Sequence, residues 1–466
     1  MKGIWQTAKR FHQNNQVNNI VLILPRAGIY RYGTGAFSKF IRYSPMTLPT
    51  LAALVPAALN VKVELYDEGV ETIAPEKINA DIVGITGITG ASQRMYAYAD
   101  YFRSRGIYVV IGGVHATLMP QEAMQHADTV ITGHAYETWP AFLHDFKAGN
   151  PRNRYTPPEG KTDFSKFKTP LRQHMKYRGF ITLNSVQAVF GCPNSCDFCV
   201  TPIVCRRYEA RPVDQVIDDI SSMKGRYLTF VDPSPIENIQ YALELYGAMT
   251  PLKKQWTGLA TTRLVQHPEL MDVMERSGCK GLLIGFESLS QNTNDGIHKS
   301  FNSVDQYYEL ARELHKRGIA IMGCFVHGLD GDGPDCFDRT LEFVIRAHID
   351  LPRFTICTPF PGTPFFNRLK QEGRILTENW ALYDAQHVVF SPNGMTHAQL
   401  YDGHHRVWRQ AYRWRHIASR LLGSRCFLEY SILANIGYRL YGMSLPRYSE
   451  HWMAQDHLLS RPAQAS

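Results

Sequence analysis

The sequence predicts an α/β protein of two units followed by a mainly helical region, and three observations carry that expectation. From Asn19 onward, short apolar runs alternate with amphipathic stretches of helical length, the pattern of a parallel, doubly wound sheet. A second series of six apolar runs with the same rhythm starts near residue 179, as in a partial α/β barrel. From about residue 371 the texture changes to arginines and aromatics at helical spacing. With 466 residues, the chain is also too long for one ordinary domain.

In the first unit, residues 1–150, the runs IVLIL (from Ile20), VKVELY (from Val61), DIVGIT (from Asp81), YVVIGG (from Tyr108) and DTVITG (from Asp128) read as buried strands. SQRMYAYADYFRSRG, between two of them, reads as a helix. The ligand of such a sheet belongs beyond the carboxyl ends of its strands. Those ends read TGITGAS (Thr86 to Ser92), GGVHAT (Gly112 to Thr117) and TGHAYE (Thr132 to Glu137). Glycines let the backbone approach a ligand closely, and N–H and hydroxyl groups supply donors; tight strand-to-helix turns are the plainer alternative.

Residues 151–178, polar and proline-containing, read as a linker. In residues 179–370 the strand candidates are FITLNSVQAVF, RYLTFVD, QWTGLATT, KGLLIGFES, IAIMGCFVHG and RFTICTPFPGT, with helical segments such as SVDQYYELARELHKRG between them. In residues 371–466, HRVWRQAYRWRHIASRLL interleaves arginines with aromatics, while CFLEYSILANIGYRLYGM is apolar but interrupted by Glu429, Asn435 and Arg439. Such helices either lie on a membrane or a greasy substrate, or cap their own barrel.

The formal charge of +8 is modest and no basic block is long enough for a nucleic-acid arm. Nine cysteines give no even disulfide framework, and MKGIWQTAKRFHQNNQ lacks the apolar core of a signal peptide. A reducing, cytoplasmic setting follows, with peripheral membrane contact open. No run reaches the roughly eighteen apolar residues of a spanning helix.

The sharpest local signal is VFGCPNSCDFCVTPIVC, with Cys192, Cys196 and Cys199 in a chain that has no cysteine before them. Thiolates bind soft metals. A structural zinc needs four closed ligands, and Cys205 is the only nearby fourth, at an offset that fits no familiar zinc pairing. A four-iron, four-sulfur cluster on three cysteines instead leaves one iron open, as a catalytic centre requires.

CPNSCDFC resembles the CxxxCxxC signature of radical SAM enzymes, with the aromatic Phe198 before the third cysteine. The resemblance implies a 4Fe-4S cluster on Cys192, Cys196 and Cys199 whose open iron is chelated by S-adenosylmethionine. It implies further S-adenosylmethionine contacts: Phe198 beside the adenine, Asp232 at the methionine amine, Thr262 and Arg263 near the carboxylate, and Glu287 and Ser288 near the ribose. The first unit is similar to the Rossmann-like cobalamin-binding domain that precedes the barrel in one branch of these enzymes. The match covers SPMTLPTLAALVP, VELYDEGVE, DIVGITGITGAS, VVIGGVHATLMPQEAMQHADTVITG and NWALYDAQHVVFSPNGM. By that resemblance Thr86, Gly87, Thr89, Ser92, Gly112, Gly113, His115 and Gly133 would contact cobalamin. The chain lacks the DxHxxG motif that puts a histidine on cobalt, so a base-off cofactor is implied and His115 is no axial ligand. The paired acids usual after the second barrel strand are replaced by VDPSP, and the acidic loop after the last sheet strand reads GHAYE.

What the resemblance implies is a C-methyltransferase. The cluster and one S-adenosylmethionine make a 5′-deoxyadenosyl radical that activates an inert carbon, and methylcobalamin donates the methyl group. The substrate would be a hydrophobic small molecule such as a lipid or tetrapyrrole, and the electron donor a flavodoxin or ferredoxin. A non-methylating oxidative cyclase or rearrangement enzyme and a non-catalytic corrinoid sensor remain as alternatives. Cys324 and Cys357 read either as late hydrogen-atom donors or as small hydrophobes, and His327 as an acid–base group or a structural histidine.

Overall fold

The computed structural model describes residues 17–27, 44–160, 162–164, 167–176, 179–180 and 182–452, with side chains described as far as Leu445. Strands β1 (Asn19–Leu24), β2 (Lys62–Asp67), β3 (Ile82–Thr86), β4 (Tyr108–Gly112), β5 (Thr129–Ile131) and β6 (Arg154–Tyr155) form one sheet, ordered β2-β1-β3-β4-β5-β6. Every pair in it is parallel. Alternation of side chains sends Val21, Ile23, Val83, Ile85, Val109 and Ile111 to one face, under Met95, Tyr98 and Phe102 of the helix Ser92–Ser104. Ile20, Leu22, Ile82 and Val110 go to the other face, against Leu48, Trp139 and Phe142. Burial on both faces is why these strands read as unbroken apolar runs. The strand order reverses between β1 and β3, so the crevice for a ligand opens at their carboxyl ends.

All five strands expected in this sheet form. The stretch read as a linker supplies the sixth, because Val130 and Thr132 donate to the carbonyls of Asn153 and Tyr155 and extend the ladder past β5.

The second sheet holds β7 (Ser185–Val186), β10 (Tyr227–Phe230), β11 (Gln255–Ala260), β12 (Cys279–Glu287), β13 (Ala320–His327) and β14 (Arg353–Ile356) in the order β14-β13-β12-β11-β10-β7. All of its pairs are parallel and its two edges are not joined, which makes it an open arc. Phe230, Trp256, Leu282, Ile284, Phe286, Phe325 and Phe354 pack toward the helices in one continuous core. The intervening residues face the concave side, where Thr229 and Thr257 hydrogen-bond across β10 and β11 at 3.2 Å. The first expected barrel strand, FITLNSVQAVF, is broken: β7 is two residues long, and β8 (Val189–Phe190) turns away to pair antiparallel with β9 (Glu209–Ala210). The break comes from Asp232, whose carboxylate captures the N–H groups of Ala188 and Val189 that a longer strand would spend on the ladder.

Past the arc, Ile375 bridges Phe390 and a turn at Trp380–Leu382 crosses to the first sheet. Helices His397–Ala411, Trp414–Ser424 and Leu428–Trp452 follow. The first is stopped at its start by a capping box of Thr396 and Gln399. Among the described residues no helix is long and apolar enough to cross a membrane.

Candidate active site

Cys192, Cys196 and Cys199 lie on the loop leaving β8, at the carboxyl end of the arc, where barrel chemistry sits. Gly191 starts the loop at φ +72°, and a Cβ there would stand 1.9 Å from the Arg207 carbonyl oxygen, so only glycine turns this corner. The middle is pinned from two directions: Asp197 N–H donates to the Ile297 carbonyl, and the Asp197 carbonyl accepts from Phe365 N–H. The buried Asp197 carboxylate also meets His298 Nδ1 at 2.6 Å and Arg368 at 3.5 Å. Phe198 packs, half-buried, against the apolar cluster that holds Ile297, Phe365 and Trp380.

The donor set suits an iron–sulfur cluster. All three cysteines are free and part-exposed, and two sulfurs already receive N–H groups, from Asn194 to Cys192 and from Thr201 to Cys199, both at 3.4 Å. Such bonds to cluster sulfurs tune potential. Burial pushes the Cys196 thiol up to about 12, although Lys299 pulls the other way. Metal binding must therefore displace the proton that the Cys196 thiol holds. Among the described residues no three His, Cys, Asp or Glu side chains form a group able to hold a single metal ion.

Lys299, which sequence reasoning missed, is the cation of this region. Its ammonium is buried and bonds Glu287 Oε1, and burial lowers its affinity for a proton less than Glu287, Cys196 and Cys199 raise it, so it stays charged. Gly285 makes room: a Cβ there would lie 2.4 Å from Glu287 Oε1 and 2.9 Å from Lys299 Nζ. Glu287 ends β12 in the left-handed region, φ +59°, where the register with β13 shifts. No sequence signal in HKS marks the lysine as buried.

The remaining residues expected near S-adenosylmethionine do come to the same end of the arc, with their own partners. Asp232 is fully buried and tied through Oδ1 to the backbone ahead of the cysteine loop; Oδ2 has no hydrogen-bond partner among the described residues. Burial raises its carboxyl to about 7. Thr262 donates to Asn302 Oδ1 at 2.6 Å, and the Asn302 amide closes on the Gly285 and Phe286 carbonyls. Arg263 stacks on Phe301 and pairs at 2.8 Å with Glu237, which also accepts from Thr261. Glu237, two residues after VDPSP, is thus a buried acid committed to Arg263. The Ser288 hydroxyl receives Ser290 N–H.

On the sheet side, Thr86, Gly87, Gly112, Gly113 and His115 form one knot. His115 N–H donates to the Gly87 carbonyl, and Gly113, at φ +93°, would put a Cβ 2.5 Å from Thr86 Oγ1. The His115 ring is fully buried, with Nδ1 3.3 Å from Thr89 Oγ1 and Nε2 3.4 Å from Glu122. Thr89 and Ser92 are buried beneath the Trp380–Leu382 turn: Gly90 backs onto the Tyr383 carbonyl, and Trp380 Nε1 donates to Glu122 at 3.0 Å. Gly133 lies toward the segment after the cysteines: a Cβ there would stand 3.6 Å from the Val204 carbonyl oxygen. The ligand edge of the sheet therefore faces the segment that follows the three cysteines.

His327 points away from this space, between the arc and its helices, with its ring centroid 4.7 Å from Phe337 and its pKa pushed down to about 3 by burial. Cys357 is buried in the cluster of Leu329 and Phe365. Cys324 is on the concave side, its thiol raised to about 11 by burial.

The pattern of the radical SAM superfamily matches residues 186–344, the cysteine loop and most of the arc. The chain belongs to the radical SAM superfamily, in the family of the bacteriochlorophyllide methyltransferases. It is 31% identical over 398 residues to the bacteriochlorophyllide d C-12(1)-methyltransferase of Chlorobaculum tepidum, covering 81% of this chain and 85% of that one. To the bacteriochlorophyllide d C-8(2)-methyltransferase of the same organism it is 28% identical, covering 81% and 87%. Among solved structures it matches the radical S-adenosylmethionine methyltransferase TsrM of Kitasatospora setae, with cobalamin and a [4Fe-4S] cluster bound, at TM-score 0.63 and 14% identity, covering 94% of this chain and all of that one.

Proposed function

We propose that this protein is a cobalamin-dependent radical SAM C-methyltransferase acting on a peripheral carbon of a hydrophobic tetrapyrrole. The observation that carries the reading is the apposition of two ligand edges: the loop after β5, at Gly133, lies against Val204 in the helix Thr201–Cys205 that follows the three cysteines. Support for the substrate class comes from the two bacteriochlorophyllide methyltransferases, each similar over four-fifths of this chain. When bound, the cluster with S-adenosylmethionine supplies a radical that removes a hydrogen atom, and cobalamin supplies the methyl group.

The chain's own residues hold and shield. Cys192, Cys196 and Cys199 carry the cluster, and Asp197 fixes their loop against the arc. Asp232 Oδ2, buried without a partner among the described residues, offers its second oxygen to the ammonium of S-adenosylmethionine, with Phe198, Thr262, Arg263, Glu287 and Ser288 around it. Thr86, Gly87, Thr89, Ser92, Gly112, Gly113, His115 and Gly133 shape the corrinoid side. The unit of the first sheet, extended past residue 150 to β6, is its cobalamin domain, residues 179–370 the barrel, and a flavodoxin or ferredoxin the electron donor.

The test is anaerobic turnover of reconstituted protein with a chlorophyllide-type tetrapyrrole, S-adenosylmethionine and reduced flavodoxin. A product heavier by one CH₂, with both S-adenosylhomocysteine and 5′-deoxyadenosine, is expected. Consumption of the tetrapyrrole with 5′-deoxyadenosine but no added carbon would refute methyl transfer.

A further inference from the structure

The C-terminal helices carry a surface that the chemistry above does not use. Of the eleven exposed large hydrophobic residues among the described ones, seven fall between Trp414 and Met443. Trp414 is 57% exposed, Leu422 70%, Leu433 58% and Met443 57%. Helical spacing explains the clustering. Trp414, Ala418 and Leu422 follow one another at intervals of four on one face of the Trp414–Ser424 helix, whose opposite side buries Ile417, Arg420, Leu421 and Ser424. On the Leu428–Trp452 helix, Leu433, Leu440 and Met443 share the outer face, while Ser431, Ala434, Asn435 and Leu445 are buried. An amphipathic helix would put charge along that outer face; this one is apolar there beyond Glu429 in its first turn.

Charge beside the apolar face is mostly positive, although Arg406 pairs with Asp338 at 3.5 Å. Residues 397–443 contain seven arginines, no lysine and two acids, Asp402 and Glu429, a balance of +5 against +8 for the whole chain. Arg420 is buried; the others reach the surface. Arg406, Arg409 and Arg413 line a shallow cavity of about 390 Å³ with Tyr401, His405 and a single acid, Asp402. Arg413 leads directly into Trp414, on whose ring Arg439 stacks at 4.7 Å. Arginine stems cover apolar surface while their heads stay in water, and tryptophan favours the boundary between hydrocarbon and headgroups.

We propose that this face seats the protein on the surface of a bilayer containing anionic lipids, apolar side chains in the acyl boundary and arginines on lipid phosphates. Charge complementarity selects this occupant over a second copy of the chain. A two-fold contact sets each patch against itself, so the arginines would meet arginines with Glu429 as the one acid within 414–443. The inference does not depend on the cluster or on methyl transfer.

The test is cosedimentation of the full chain with vesicles of phosphatidylcholine alone and of phosphatidylcholine with phosphatidylglycerol. Binding only to the anionic vesicles is expected, falling steeply with added salt and unaffected by soluble glycerophosphate at the same anion concentration. Each arginine near an anionic surface contributes about a fivefold gain, so exchanging Arg413, Arg415 and Arg425 for glutamine should weaken partition about a hundredfold. The pair Leu433→Glu and Leu440→Glu should abolish it while the circular dichroism spectrum stays that of the parent. Equal binding to both vesicles, no binding to either, or concentration-dependent dimerisation lost in the leucine variants would each overturn the proposal.

Discussion

Lys299→Met tests how the arc's mouth is held. In the parent, Lys299, 7% exposed, and Glu287, 9% exposed, satisfy one another's charge. That geometry falls outside the surface regime, in which an ion pair contributes at most about 1 kcal/mol. Removing one partner of a buried pair strands the other charge and costs about 3–5 kcal/mol. Glu287 is further constrained by its left-handed backbone, so it has little freedom to turn toward solvent. For a unit of this size a loss of that order lowers the unfolding midpoint by about 10 °C. Glu287→Gln with Lys299→Met removes both charges and should recover most of the loss, because a neutral amide is far cheaper to bury. The assay is thermal unfolding of the cluster-free protein for the parent, both single variants and the double variant. A Lys299→Met midpoint within a degree of the parent, or strictly additive effects in the cycle, would refute the buried-pair argument.

Replacing Cys192, Cys196 or Cys199 singly by alanine should eliminate bound iron and sulfide after anaerobic reconstitution, whereas Cys205→Ala should retain them; iron analysis decides. Gly113→Ala forces a side chain into positive φ and against Thr86 Oγ1, a cost of about 2–4 kcal/mol, and should weaken retention of hydroxocobalamin in equilibrium dialysis. Stability should fall on acidification, because burial depresses His327 to about 3 and His405 to about 4 while the unfolded chain binds their protons near pH 6.5. Protons are then taken up on unfolding, so between pH 6.5 and 4 each histidine removes about 1.4 kcal/mol per pH unit; urea unfolding across that window measures the slope, and His327→Phe should flatten it.

Much of the fold was legible because burial imposes a period. Strands such as IVLIL and DIVGIT are buried on both faces and show it as continuous apolar runs, and the cysteine tripod declares itself by spacing within eight residues. Local spacing does not report a competitor for the backbone. FITLNSVQAVF has strand composition throughout, yet Asp232, more than forty residues on, takes the N–H groups that would have continued it. The polar stretch after residue 150 likewise became an edge strand because β5 had unpaired groups to offer.

The sequence by itself determined the alternation of elements, the glycine-rich ends of the first sheet and three thiols on one loop, since each is a property of neighbours along the chain. Tertiary structure alone decided who meets whom at long range: Asp197 with Arg368, Trp380 with Glu122, and Gln93 with Asn379, 286 residues apart. It also buried Lys299 beside Glu287 and left the outer face of the last helices bare. The physical reason is that a residue's spacing fixes the face it occupies, but the charge or surface opposite that face is set only when distant segments pack.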